Sequence, residues 1–304
     1  MLMEECARCK YKAHLIGLGL GVRCTHPDNQ KYKREEDNQN MPILISKVPS
    51  SCLYKDTGKK KKLILHIPHS STYSPETFEV LEGVSLEKEL QRMTDWFTDE
   101  LFDFEEAAKL VFPYSRLYCD VERFRSDRNE VMAKKGMGVC YTQTSHGIEL
   151  REVSSKEKVF IKSTIYDTHH KKLELLAEEE LEEQGSVLII DCHSFSNTPL
   201  PHEDSIARPD ICLGTDSFHT PTELIEYVCK YFEKEGLTVA INEPFAGTMV
   251  PLKFYGKDKR VKSIMIEINR KLYLDEKFGR NENFNRIKEI IYDLLKDIAK
   301  AGFL

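Results

Sequence analysis

Four short apolar runs, set apart by longer stretches with helical periodicity, constrain this chain more than any other feature. They occupy residues 63–67, 187–191, 237–241 and 262–268. Each is short and rich in Ile, Leu and Val, the pattern of a strand buried on both faces. Between them, Ser85 with Lys88 and Glu89 opens a helical run to about Lys109. Residues 155–184 form a charged helix or helix pair closed by Gly185. Pro221-Thr222-Glu223 opens another helix that stops at Gly236. The last, over roughly 283–300, carries Phe284, Ile287, Ile290, Ile291, Leu294 and Leu295 on one face. Strands alternating with helices predict a layered α/β domain with a mostly parallel or mixed sheet. No glycine-rich phosphate loop follows any strand, and no fixed-period repeat is visible.

The pattern begins abruptly after the lysine run 59–62. This predicts a small Cys/His-rich extension over residues 1–40, a linker and lead-in over 41–62, and the main domain over 63–304. Charge divides at the same place. Residues 1–62 carry net +6 and the remainder net −12, within an overall −6. An acidic body argues against nucleic acid as partner of the main domain. Nine cysteines over 304 residues are too sparse for a disulfide scaffold. The start, MLMEECARCK, is charged and lacks an apolar signal core. The apolar stretch 15–22 is too short to span a bilayer, which takes roughly 20 residues. The expectation is a cytoplasmic protein with reduced thiols and no membrane partner.

In open α/β sheets, ligands bind at the carboxyl ends of strands. Strand 63–67 runs into Pro68-His69-Ser70-Ser71, and strand 187–191 into Asp191-Cys192-His193-Ser194. Strand 262–268 carries Glu267 and is followed by Asn269-Arg270. Residues 117–123 read as a further strand bearing Asp120 and Arg123. Two imidazoles and a carboxylate, with one position left for water, make a common catalytic zinc set. Such a metal acidifies its bound water and polarises a carbonyl, and a nearby Glu can carry the proton to a leaving amine. A carboxylate at Glu267, inside an apolar run, is costly to bury unless paired or metal-bound. His66, His202 and His219 are assigned no chemical role.

Seven segments at and around these positions resemble the N-formylglutamate amidohydrolase family. They are HIPHSSTYSP (66–75), TDWFTDELF (94–102), SRLYCDVERF (115–124), DCHSF (191–195), PDICLGTD (209–216), NEPFAGTMVP (242–251) and IEINRKLYLDE (266–276). They follow the family's order and span nearly the whole acidic body. The resemblance implies a three-layer, phosphorylase/hydrolase-like fold similar to the zinc carboxypeptidases, with a mixed central sheet between helices. It also implies zinc-dependent hydrolysis of the N-formyl amide of a small N-acyl amino acid. Carried onto this chain, it makes His69 and His193 metal ligands and Glu267 the general base and acid. The family's PHSG-like motif is here His69-Ser70-Ser71, and the Glu of a carboxypeptidase HxxE pair is replaced by Thr72. The third ligand is then Asp95, placed on the helix after the first strand, with Asp120 as the alternative. Arg123, Arg270 and Arg116 are candidates for the substrate carboxylates, since Arg suits bidentate carboxylate recognition. Asn242 opens a turn expected to face the substrate. Other readings keep the fold but change the role, to a carboxypeptidase-like hydrolase of a peptide or peptidoglycan-derived amide, or to a ligand-binding module with a zinc-ribbon adaptor.

The extension has its own pattern. Cys6, Cys9, Cys24 and His26 read C-x2-C-x14-C-x-H, four candidate ligands for a structural zinc. A segment of about 40 residues buries little core, so a metal clip would account for its folding.

Overall fold

In a computed structural model, the chain divides into two compact units, residues 1–59 and 60–304. The structure describes residues 12–14, 22–25, 33 and 43–44 of the first unit and 63–201, 203, 207–301 and 303 of the second. In the first, β1 (Lys12–His14), β2 (Val22–Cys24) and β3 (Ile43–Leu44) form an antiparallel sheet. Its third strand falls within the segment expected as a linker. Cys24 is buried at the end of β2. Cys6, Cys9, His26 and also His202 lie outside the described residues.

The second unit is built on a six-stranded mixed sheet of order β5-β4-β6-β9-β7-β8. Its strands are β4 (Leu63–Ile67), β5 (Ala108–Val111), β6 (Val187–Phe195), β7 (Ile211–Gly214), β8 (Val239–Ile241) and β9 (Val261–Asn269). All neighbours run parallel except β7 against β9. The helices are α1 (Leu86–Met93), α2 (Thr98–Leu101), α3 (Ser155–Phe160), α4 (Asp167–Gln184), α5 (Thr222–Lys234) and α6 (Phe284–Lys300). A wide π-helical stretch, Ile161–Tyr166, joins α3 to α4. This is the mixed-sheet, helix-flanked α/β architecture expected. No helix among the described residues is long and apolar enough to cross a membrane.

Strand periodicity explains the layers. Leu63, Leu65, Ile67, Leu188, Ile190, Ile264, Ile266 and Ile268 alternate onto one face and pack with Leu101 of α2, Val228 and Phe232 of α5, and Ile291 and Leu294 of α6. On the opposite face Ile64, Val187, Ile189 and Val261 pack under Leu173, Ala177 and Leu181 of α4. That second face is apolar only near the strand starts. Toward the strand ends it carries His66, Asp191, His193 and Glu267, which the register sets side by side: His66 opposite Asp191, His193 opposite Glu267.

Two local expectations differ from the structure. The helical run from 85 stops at Met93, because the Asp95 N–H turns to donate to the His69 carbonyl, at 3.0 Å. Phe97 then takes a left-handed φ of 59° and packs edge-on against Phe284. Asp95 therefore sits in a turn between α1 and α2, not on a helix. Residues 117–123 are not a strand: the Tyr118 and Cys119 N–H groups both donate to the Ser115 carbonyl, curling the segment into turns.

Candidate active site

The α1–α2 turn brings Asp95 to the site and β9 brings Glu267, while three further segments supply the histidines and their outer carboxylates. Pro68 ends the β4 ladder, having no N–H, and His69 emerges just beyond it. β6 continues through Phe195, four residues past the expected 187–191 run, so Asp191 and His193 lie on the strand itself, two apart and on one face. The 120–123 segment is tied to the helical layer. Tyr166 Oη donates to the Arg123 carbonyl at 2.7 Å, and His170 Nε2 lies 2.9 Å from the Val121 carbonyl.

Each imidazole is oriented by a carboxylate on its far side. His69 Nε2 is 2.9 Å from Asp120 Oδ1, and His193 Nε2 is 3.2 Å from Asp191 Oδ1. Both Nδ1 atoms thereby face Asp95, whose Oδ2 lies 3.1 Å from His193 Nδ1 and 3.7 Å from His69 Nδ1. His69, Asp95 and His193 are all buried and offer ligand atoms within 4.8 Å of one another. His69 Nδ1 makes no hydrogen bond although it is buried, which is costly unless an ion takes its lone pair. Two imidazoles and one carboxylate, with outer carboxylates fixing the tautomers, suit a zinc-like ion. Asp120, the alternative third ligand, is the outer partner of His69.

The arginines divide. Arg270, expected at a substrate carboxylate, is committed to the protein. Its Nη2 donates to Asp95 Oδ1 at 2.8 Å and to the Ser194 carbonyl, its Nε to Ser194 Oγ, and its Nη1 to the Arg92 carbonyl. It holds the Asp95 carboxylate with Oδ2 toward the histidines. Arg116 donates from Nε and Nη2 to Asp120 Oδ2, and Arg123 lies 3.4 Å from that same oxygen. Both line the cleft, and their Nη1 groups make no hydrogen bond to the described residues. Asn242 lies elsewhere. At φ 57° it accepts from the Thr215 N–H and donates to Thr215 Oγ1, closing a turn at the surface. The same loop reaches the cleft through Pro244, Phe245 and Ala246. Its Gly247 carbonyl approaches Gly214 so closely that a Cβ there would collide at 2.1 Å. His219 is a structural group, with Nδ1 2.6 Å from the Val261 carbonyl and Nε2 accepting from Gly256.

The cleft has a volume of about 360 Å³, the size of a small-molecule site. Its electrostatics follow from burial and pairing. Burial would raise Asp95, but the hydrogen bond to His193, the nearby His69 and the Arg270 charge outweigh it and hold the carboxyl well below the usual range. For Asp120, Arg116 and Arg123 outweigh burial in the same direction. For Glu267 burial outweighs the nearby positive charges. Burial pushes it up to about 8, only partly offset by His193, and its Oε2 makes no hydrogen bond. Glu122, also in the cleft wall, is raised by burial and by the Asp191 charge.

The sequence model of the N-formylglutamate amidohydrolase family matches residues 61–274, well over half of the chain. The chain belongs to the N-formylglutamate amidohydrolase family. Two solved structures share the fold. The N-formylglutamate amidohydrolase of Ralstonia eutropha JMP134 is 22% identical, with a TM-score of 0.68 over 81% of this chain and 95% of its own. A gene product of Agrobacterium tumefaciens is 19% identical, with a TM-score of 0.56 over 79% and 92%. No curated protein matches the chain in sequence. Membership supports a hydrolase with a small-molecule substrate. The family match covers every body residue named for the site, whereas residues 1–60 lie outside it.

Proposed function

We propose that the protein is a metal-dependent amidohydrolase releasing formate from an N-formyl amino acid such as N-formylglutamate. The observation that carries this reading is the convergence of His69 Nδ1, Asp95 Oδ2 and His193 Nδ1 beside a buried Glu267 in one cleft. A zinc ion held by those three atoms would polarise the formyl carbonyl and acidify water. Glu267 sits across the register from His193, so its free Oε2 accepts the proton of the attacking water. It returns that proton to the amide nitrogen as the C–N bond breaks, giving formate and the free amine. Burial favours the protonated form of this carboxyl, which suits the second transfer, and a cation held by His69, Asp95 and His193 would favour the ionised form that the first transfer needs. The spare donors of Arg116 and Arg123 bind the substrate carboxylates. Arg270 acts through Asp95.

Formate release from formyl, acetyl and peptidyl amides of glutamate, read with metal content, tests the proposal. Formyl compounds should turn over fastest, and chelation should abolish turnover until zinc is restored. Cleavage of peptides with formyl compounds ignored would sink it.

A further inference from the structure

Behind His193 lies a second set of mixed donors, of which the hydrolytic reading uses only Asp191, to orient His193. His66 Nδ1 is 2.8 Å from Asp191 Oδ1 and 3.3 Å from Glu122 Oε1. His193 Nε2, on the same side, is 3.2 Å from Asp191 Oδ1 and 4.0 Å from Glu122 Oε1. One ligand atom each from His66, Glu122 and Asp191 falls within 4.8 Å of the others. Bonds of about 2.0–2.2 Å to a tetrahedral ion separate its ligand atoms by roughly 3.4 Å, close to this spacing.

Charge points the same way. Asp95 has Arg270, and Asp120 has Arg116 and Arg123. Asp191 is fully buried, yet its partners are two imidazoles and the Met249 N–H. Glu122 Oε1 is buried and makes no hydrogen bond. Two carboxylates converge on the one Nδ1 of His66, and Asp191 shares its other imidazole, His193, with Asp95, so a cation between His66, Asp191 and Glu122 would balance charge that these imidazoles must otherwise divide. The far side of His66 is supported as well, since its Nε2 lies 2.8 Å from His169 Nε2. In the tautomer that donates there, the Nδ1 lone pair points between Asp191 and Glu122.

We propose that His66, Glu122 and Asp191 form a second cation site, taking a divalent transition metal that accepts mixed imidazole and carboxylate ligands, such as Zn2+ or Mn2+. This goes beyond the hydrolytic reading and does not depend on its substrate. Asp191 links the two sites, because the carboxylate that would ligate the second ion also orients His193. Glu122 brings the second ion to the cleft wall.

The test counts ions per chain. The full-length protein is stripped with a chelator, re-equilibrated with Zn2+, freed of unbound metal and analysed for metal content. His66→Ala and Glu122→Ala should each hold one ion fewer than the unsubstituted protein. Asp95→Ala should lose a different one, and His66→Ala with Asp95→Ala should lose two. Ions bound elsewhere in the chain cancel in these differences. His66 is wholly buried, so Glu122→Ala, at the cleft wall, tests the proposal if His66→Ala fails to fold. Full stoichiometry in a folded Glu122→Ala protein overturns the proposal. So does an Asp95→Ala protein that has lost as many ions as the double variant. A protein that binds both ions yet releases no formate would refute the hydrolytic reading and leave this one intact.

Discussion

Glu267→Gln separates function from stability more sharply than any other substitution in this cleft. Glu267 is 7% exposed, and burial moves its carboxyl from 4.5 to about 8. A carboxyl raised in the folded state destabilises it as pH increases, because the unfolded chain ionises first and gains most from losing the proton. Stability is thus fully retained below about 4.5 and declines until the folded-state group ionises near 8. At ~1.4 kcal/mol per pH unit, that interval corresponds to ~5 kcal/mol when the group is ionised in both states, and ~3 kcal/mol at pH 7. Gln removes the titration while keeping the shape. Its amide still needs partners in a wall where Oε2 has none, so ~3 kcal/mol at pH 7 and ~4 kcal/mol at pH 8 are upper bounds. The metal-free variant should be more stable than the parent at pH 8, with the advantage vanishing by pH 4, in denaturant melts. It should also retain bound metal and release no formate. Equal stability at both pH values, or formate release near the parent's rate, would refute the role assigned to this side chain.

Arg270→Leu strands Asp95 Oδ1 in a buried setting and frees the carboxylate to rotate, so zinc affinity should fall ~10–100-fold in competition titrations. Arg123→Ala removes a spare cleft donor of the kind worth ~1.5–3 kcal/mol to a charged partner, which should raise KM for N-formylglutamate ~10–100-fold with kcat largely kept. Burial alone would lower His193, but the charge and hydrogen bond of Asp191 and the bond to Asp95 push it well above the ordinary imidazole range. Zinc at Nδ1 must therefore displace a proton, and apparent affinity should climb ~tenfold per pH unit between about pH 6 and 8 in buffered zinc titrations. Ile266→Ala, on a fully buried β9 position away from the cleft, should cost ~2–5 kcal/mol in denaturant melts while sparing KM.

The fold was legible where burial is two-sided. The runs at β4, β6 and β9 are mostly apolar because helices cover one face of the sheet along its length and the other near the strand starts, and so they stand out without any partner being known. β5 and β7 carry no comparable signal, being four residues each, and β5 alternates half-buried with exposed positions as an outer strand does. The end of the helix at Met93 is not legible locally, because Thr94-Asp95-Trp96-Phe97 holds no glycine or proline. Its turn depends on the His69 carbonyl, 26 residues away along the chain.

The candidate site was legible in proportion to how locally its geometry is set. Asp191 and His193, two apart on a strand, share a face by backbone periodicity alone, and that spacing was available as a signal that Asp191 works beside His193. Glu122 carries no such signal. It reaches the cleft only because Tyr166 and His170 pin an irregular loop, and nothing in its neighbours' periodicity announces that. Arg270 shows the complementary limit. Its residue type suited a substrate carboxylate, yet its nearest carboxylate is Asp95, 175 positions earlier in the chain. The same pairing that takes Arg270 away from substrate holds the Asp95 carboxylate well below the usual range, as a metal ligand requires. In this cleft, then, a guanidinium marks a carboxylate kept charged for a structural purpose. The carboxylates that pair with no guanidinium, Glu267 and Glu122 with Asp191, are where the proposed proton transfer and the proposed second cation would balance the charge.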